Sequence, residues 1–197
     1  MWDAPLAVAH SALINRNDAA SSLKAFIGEA VKPFGCDLDV QVYRDRDILK
    51  QMLRKYKNPG FDITKCLCVE FIDEIGVDAG RITREYFHLL MERLKQGPGG
   101  AINLFEGVVG HLVPIHNYDV LSSGLFVLAG KMILHSILND CNGVPGLSPA
   151  VVSYLTTGSR DSAVEHVTLD DIPDLDLKEK MSQVCPDSHG ISYLLTS

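Results

Sequence analysis

Thiols, imidazoles and a glycine–aspartate turn are the groups from which this 197-residue sequence could build a reactive centre. Cys66 and Cys68 stand one residue apart in "KCLCVEF", while Cys36, Cys141 and Cys185 are scattered. A thiol becomes a nucleophile where a nearby cation or a helix start lowers its pKa, and neither Cys66 nor Cys185 has a clear neighbour of that kind. A zinc site needs further ligands at characteristic spacing. His111 and His116 are five apart with no second cysteine pair beside them, so no metal ligand set is expected. Gly76, Asp78 and Gly80, in "GVDAGRITREYF", do not form a phosphate loop: no Lys-Ser or Lys-Thr follows, and the G-x-G-x-x-G spacing is absent. They read as a tight turn in which glycine supplies positive φ and Asp78 helps cap the next helix. No G-x-S-x-G elbow offers a serine nucleophile. His135 lies in an apolar run and reads as a core or interface histidine. Asp170 and Asp171 open a short helical piece, where they suit its dipole. Spacing alone therefore assigns no catalytic residue, no cofactor-binding residue and no metal ligand.

The elements that must position these residues follow from periodicity and caps. "SSLKAFIGEAVK" (Ser21–Lys32) reads as a helix starting from a serine cap. "DVQVYRD" (Asp39–Asp45) alternates as a strand does. Ile48, Leu49, Met52, Leu53 and Tyr56 have helical spacing, and "NPGFD" (Asn58–Asp62) is a loop. In "KCLCVEFID" a strand would point Cys66, Cys68 and Glu70 one way and Leu67, Val69 and Phe71 the other. An amphipathic helix carries Ile82, Tyr86, Leu89, Leu90, Arg93 and Leu94. Residues Asn103–Tyr118 read as irregular, followed by one long apolar helix, Val120–Asn139, with a stripe of Leu121, Leu125, Leu128, Met132 and Leu138. "SPAVVSYLTTG" predicts a helix with Ser148 as cap and Pro149 first inside it. Thr168–Val184 reads as two short helical pieces, the second capped by Asp174. "CPDSHGISYLLTS" carries no helix signal.

Composition bounds the classes of function. A hydrophobic fraction of 46% and a charged fraction of 22% suit a globular protein with a sizeable core. The net charge is −7 and the nearest approach to a basic cluster, "LRKYK" (Leu53–Lys57), reads as a solvated helix face, so nucleic acid is not an expected partner. The run Val120–Leu138 has nearly the length that spans a bilayer. Lys131, His135 and three serines interrupt it, and a lysine at mid-membrane is costly, so a buried core helix is expected and membrane is not. An odd, unpaired set of cysteines suits a reducing compartment. The fold class that emerges is α+β and mainly helical.

One stretch carries a family resemblance. "CVEFIDEIGVDAGRITREYFHLL" resembles the entry motif of HECT-type ubiquitin ligases, a strand ending V-x-F followed by a G-V-D-x-G-G turn and a helix. Val69, Phe71, Gly76, Val77, Asp78, Gly80, Thr83, Arg84, Glu85 and Phe87 fall on that pattern. Arg81 stands where the family has a second glycine, and Ile82 is a mild departure. Downstream, Phe126, Gly130 and Ile133 match a second family helix. "GLSPAVVSYLTTG" and "TLDDIPDLD" occupy the places of two further conserved segments of that family's pattern. The wording is most similar to the divergent branch that includes the ligase named for the passage from second gap phase to mitosis. The similarity spans roughly Asp39–Val184.

The resemblance implies a HECT N-lobe large subdomain with a few short strands over residues 37–197, preceded by a leader over 1–36 with one helix. It implies membership of a ubiquitin-protein ligase, in which ubiquitin passes from a conjugating enzyme to a ligase cysteine and then to a protein substrate. None of the five cysteines stands in the family's T-C-x-x-x-L motif, and the docking subdomain and catalytic C-lobe would come after this sequence. The chain alone is therefore expected to be inert, with Gly76, Val77, Asp78, Gly80, Thr83, Arg84, Glu85 and Phe87 structural and with no cofactor. A stand-alone HECT-like interaction module is the alternative. Arg84 and Glu85 are expected to pair at the helix start. Expected partners are a conjugating enzyme, ubiquitin and substrate in the full-length context, with self-association of the fragment through Val120–Asn139 or its tail, in cytoplasm or nucleus.

Overall fold

The computed structural model describes residues 19–31, 37–74, 80–97 and 103–184. Helix α1 (Ala19–Ala30) begins two residues before the expected serine cap. The centre is a β-α-β unit: β1 (Asp37–Val42), α2 (Ile48–Tyr56) and β2 (Cys66–Phe71), the two strands pairing in parallel with Val40 opposite Val69 and Val42 opposite Phe71. Asp47 caps α2 by accepting from the Lys50 N–H at 3.2 Å. The Gln51 side chain takes both the N–H and the carbonyl of Tyr43, each at 2.9 Å, which fastens the end of β1 to α2. Along β2 burial alternates as expected, with Leu67, Val69 and Phe71 inward and Cys66, Cys68 and Glu70 outward.

Helix α3 (Arg81–Gln96) packs on β2 and buries Thr83, Tyr86, Phe87, Leu90, Met91 and Leu94, the three-and-four spacing of one helix face. Arg93, in the expected stripe, is exposed. The segment expected to be irregular holds a minimal antiparallel pair, β3 (Phe105–Glu106) with β4 (Val113–Pro114). The single helix expected over Val120–Asn139 is two: α4 (Tyr118–Ser122), capped by Asn117, and α5 (Leu125–Leu138). The break has a local cause. Ser123 Oγ donates to the Val120 carbonyl at 2.7 Å and accepts from the Leu125 N–H at 3.2 Å, competing with the helical ladder. Gly124 then takes the left-handed conformation, φ 74°, which glycine adopts without steric cost. The stripe splits with it: Leu121 is exposed while Leu128, Met132 and Leu138 are buried. Among the described residues no helix is long and apolar enough to cross a membrane.

Helix α6 (Pro149–Thr157) has the expected Ser148 cap and Pro149 start. A short α7 (Arg160–Val164), capped by Ser159, was not anticipated. A 3-10 turn at Leu169–Asp171 and α8 (Leu175–Val184) follow, with Asp174 accepting from the Leu177 N–H at 3.0 Å. The fold is thus α+β and mainly helical.

The core closes on His135, which is 0% exposed. Its Nδ1 lies 2.7 Å from Tyr56 Oη, a hydrogen bond between α5 and α2. The rings of Phe61 and Phe87 stand edge-on to its imidazole, with centroids 6.0 and 5.2 Å away. Burial holds the imidazole pKa down at about 4, so the ring is neutral at pH 7. The expectation of a satisfied core histidine is met at Nδ1 only: among the described residues His135 Nε2 has no hydrogen-bond partner, while the Tyr86 hydroxyl meets that of Tyr56. These hydroxyls predict a contrast in urea unfolding. Tyr56→Phe orphans His135 Nδ1 and is expected to cost about 1–3 kcal/mol, whereas Tyr86→Phe, whose hydroxyl meets only another hydroxyl that keeps its bond to His135, is expected to cost less. Equal losses for the two variants would contradict this assignment.

Candidate functional site

The resemblance places its residues at the start of α3, and the described ones serve three tasks there. Phe87 joins the aromatic hub, 1% exposed, and Thr83 is buried beside it on the helix face. Gly80 occupies the N-cap position with φ 83° and no side-chain cap. Arg84 Nε donates to the Gly80 carbonyl at 3.0 Å, closing the first turn. Glu85 pairs with Arg44 Nη1. Arg44 also grips Glu74 with two contacts, at 2.5 and 3.0 Å, and its guanidinium lies over the Phe71 ring, 4.0 Å from the centroid. The Arg44 hydrogen bonds hold the Glu74 carboxyl below its usual range, and those carboxylates keep the guanidinium charged. One arginine from the end of β1 therefore braces both described flanks of residues 75–79. Gly76, Val77 and Asp78 lie outside the described residues, and with them the expected capping by Asp78. At the helix start Arg84 meets a backbone carbonyl and Glu85 meets Arg44.

The same helix start forms one wall of a cleft. A cavity of about 410 Å³ lies between α3 and the connection from α5 to α6, lined by Arg84, His88, Glu92, Asp140 and Cys141 among others. A second, of about 290 Å³, adjoins it through Arg84 and Asp140 and reaches Gly80, Thr83 and Leu67. The opposite wall is a tight turn. Asp140 has φ 55°, the Cys141 N–H donates to the Ser136 carbonyl at 3.0 Å, and Ser136 Oγ donates to the Asn142 carbonyl at 2.6 Å.

Cys141 is the thiol in this cleft, and its surroundings do not activate it. Burial pushes its pKa up, Arg84 opposes this and Asp140 adds to it, so the thiol is neutral near pH 7 and a poor nucleophile. Its Sγ donates to the Asn139 carbonyl at 3.3 Å. Cys66 and Cys68 are exposed on the outer face of β2, away from this cleft. Cys36 and Cys185 lie outside the described residues. Among the described residues no group of three or more His, Cys, Asp or Glu is placed to hold a metal ion.

No family model matches this sequence, and no curated protein matches it. The cleft offers a mixed-charge rim around a neutral thiol, while the described residues of the motif pack, close the helix start or take part in the Arg44 brace.

Sequence reading missed a second polar cluster, which ties the 3-10 turn to the body. His111 Nδ1 lies 2.8 Å from Asp171 Oδ1, and Asp171 Oδ2 accepts from the Thr168 N–H at 2.8 Å. Lys178 of α8 pairs with Asp170 at 2.7 Å. Burial raises the Asp171 pKa, but hydrogen bonds from Ser148, the Thr168 backbone and His111 outweigh it and hold the carboxyl below its usual range. The T-x-x-D spacing of Thr168 and Asp171 was a signal for the local half of this cluster. The 60-residue separation from His111 left no local signal for the other half.

Proposed function

We propose that this chain is the large N-lobe portion of a HECT-type ubiquitin ligase, acting as a scaffold that holds the rest of the catalytic domain and contributes no nucleophile of its own. The observation that carries the reading is the division of labour at the β2–α3 junction. Val69, Phe71, Thr83 and Phe87 are in the core, Arg84 closes the helix start and Glu85 is held by Arg44, so the motif residues described there have structural tasks. The neutral Cys141 supports the absence of a thioester-forming cysteine in the cleft. In the full-length context the partners are a ubiquitin-conjugating enzyme, ubiquitin and a protein substrate, in cytoplasm or nucleus.

A second reading, a HECT-like interaction module without chemistry, is favoured by the apolar side chains that α6 leaves exposed, Val152, Tyr154 and Leu155.

Two assays test these readings. Mixed with activating enzyme, a panel of conjugating enzymes, ubiquitin and ATP, the chain is expected to give no reductant-sensitive ubiquitin adduct while the conjugating enzymes become charged. An adduct abolished by one cysteine-to-serine change would overturn the scaffold reading. A chimera in which residues 37–197 replace the corresponding subdomain of a HECT ligase is expected to retain ubiquitin transfer. A folded chimera without transfer would leave only the interaction module.

A further inference from the structure

We propose that a basic groove between the end of β1 and the solvent side of α2 docks an acidic peptide segment of a partner protein. Sequence reading took "LRKYK" as a solvated helix face; the fold makes it one wall of a concavity. A cavity of about 440 Å³ is lined by Gln41 and Tyr43 from β1 and its end, Arg46 and Asp47 from the following turn, and Lys50, Gln51, Arg54 and Lys55 from α2. Five of the chain's 18 lysines and arginines fall in residues 46–57, against one carboxylate, in a chain whose net charge is −7. That carboxylate, Asp47, is engaged by the Lys50 N–H as the helix cap. Among the described residues, Arg46, Lys50, Arg54 and Lys55 form no ion pair, while Arg44, one residue beyond Tyr43, is saturated by Glu74 and Glu85. The groove therefore sets four cations against the single carboxylate of Asp47, in a chain of net charge −7.

Its geometry favours carboxylates on a peptide. Arg46 lies over the Tyr43 ring, 3.9 Å from the centroid, and the Tyr43 backbone is held by two hydrogen bonds to the Gln51 side chain. The ring orients the guanidinium, and a planar fork of that kind matches a carboxylate with two parallel hydrogen bonds. Lys50 and Arg54 are one turn apart on α2, as are Gln51 and Lys55, so successive acidic side chains of an extended segment would meet successive cations. A nucleic acid fits less well. Its binding relies on aromatic faces for base stacking, whereas the Tyr43 ring carries Arg46, and a net charge of −7 repels a long polyanion at range.

The test is fluorescence anisotropy of a labelled Glu/Ser peptide titrated with the chain, beside a single-stranded oligonucleotide of matched charge. The peptide is expected to bind, more weakly as salt rises. The Arg46→Glu/Arg54→Glu variant is expected to bind at least about tenfold more weakly, while Lys131→Glu/Lys180→Glu, the same change in net charge placed elsewhere, stays within about twofold. Circular dichroism and urea midpoints establish that both variants fold. Absence of peptide binding, equal losses in the two variants, or tighter binding of the oligonucleotide would each overturn the proposal. So would a salt-sensitive dimer of the chain alone, lost in Arg46→Glu/Arg54→Glu, because the occupant would then be a second copy.

Discussion

Acidification from pH 6.5 to pH 4 is expected to lower the stability of this chain by about 3 kcal/mol, read as a falling urea midpoint, through His135 alone. The sign follows from proton binding. Unfolded, the imidazole titrates near 6.5; folded, burial holds it at about 4. Between those values the unfolded chain binds a proton that the folded chain refuses, so the equilibrium shifts toward unfolding as pH falls. About one pH unit above 6.5 and higher both states are neutral and the contribution is flat. The depressed Asp171 carboxyl acts in a lower window: its contribution is present above its ordinary value of 3.8 and is lost as pH falls below that. His135→Gln should flatten the upper window while leaving the lower one. A wild-type midpoint unchanged between pH 6.5 and 5 would mean that the fold accommodates the imidazolium, in contradiction to the burial of Nε2 without a partner.

Phe87→Ala is expected to cost about 3–5 kcal/mol, the usual range for deleting a buried aromatic side chain. Phe87 is 1% exposed and its ring meets Tyr86 and His135, so truncation leaves a void between α3 and α5 rather than at a surface that could collapse. Against a total stability of about 5–15 kcal/mol for a domain, this variant is near the threshold of folding at all. Phe87→Leu, which keeps most of the volume, should lose far less and supplies the measurable control. The comparison bears on the proposed scaffold role: a motif position that acts by packing responds to side-chain volume. If Phe87→Ala unfolds with a midpoint close to wild type, Phe87 is not the hub residue assigned to it.

The parts of the fold legible in the sequence are those specified within a dozen residues. Helix α2 could be read because Ile48, Leu49, Met52, Leu53 and Tyr56 recur at helical spacing, and β2 because its apolar residues alternate strictly. Helix α6 announced itself through Ser148 and Pro149. The break at Ser123–Gly124 was hidden by the apolar residues on both sides of it, which continue the pattern while the serine hydroxyl interrupts the ladder. Helix α7 is five residues long and too short to show a period. The site was less legible than the fold. Nothing near Arg44 indicates that it meets Glu74 and Glu85, 30 and 41 residues away. The wall containing Asp140 and Cys141 reaches α3 only through tertiary packing, as His111 reaches Asp171.

The hydrogen bond from Tyr56 to His135 spans 79 residues of chain, and that distance has a meaning during synthesis. The β1–α2–β2 unit is complete once Phe71 has been added, and its strand partners are 29 positions apart, so it can assemble while the rest is still being made. Its inner face cannot close, because α5 does not yet exist. His135 follows Phe71 by 64 residues, so at about 5–20 residues per second translation leaves roughly 3–13 s in which Tyr56 and Phe61 have no imidazole to pack against. For that period the nascent chain presents an open aromatic surface to chaperones and proteases, and the arrival of α5 is the step that withdraws it.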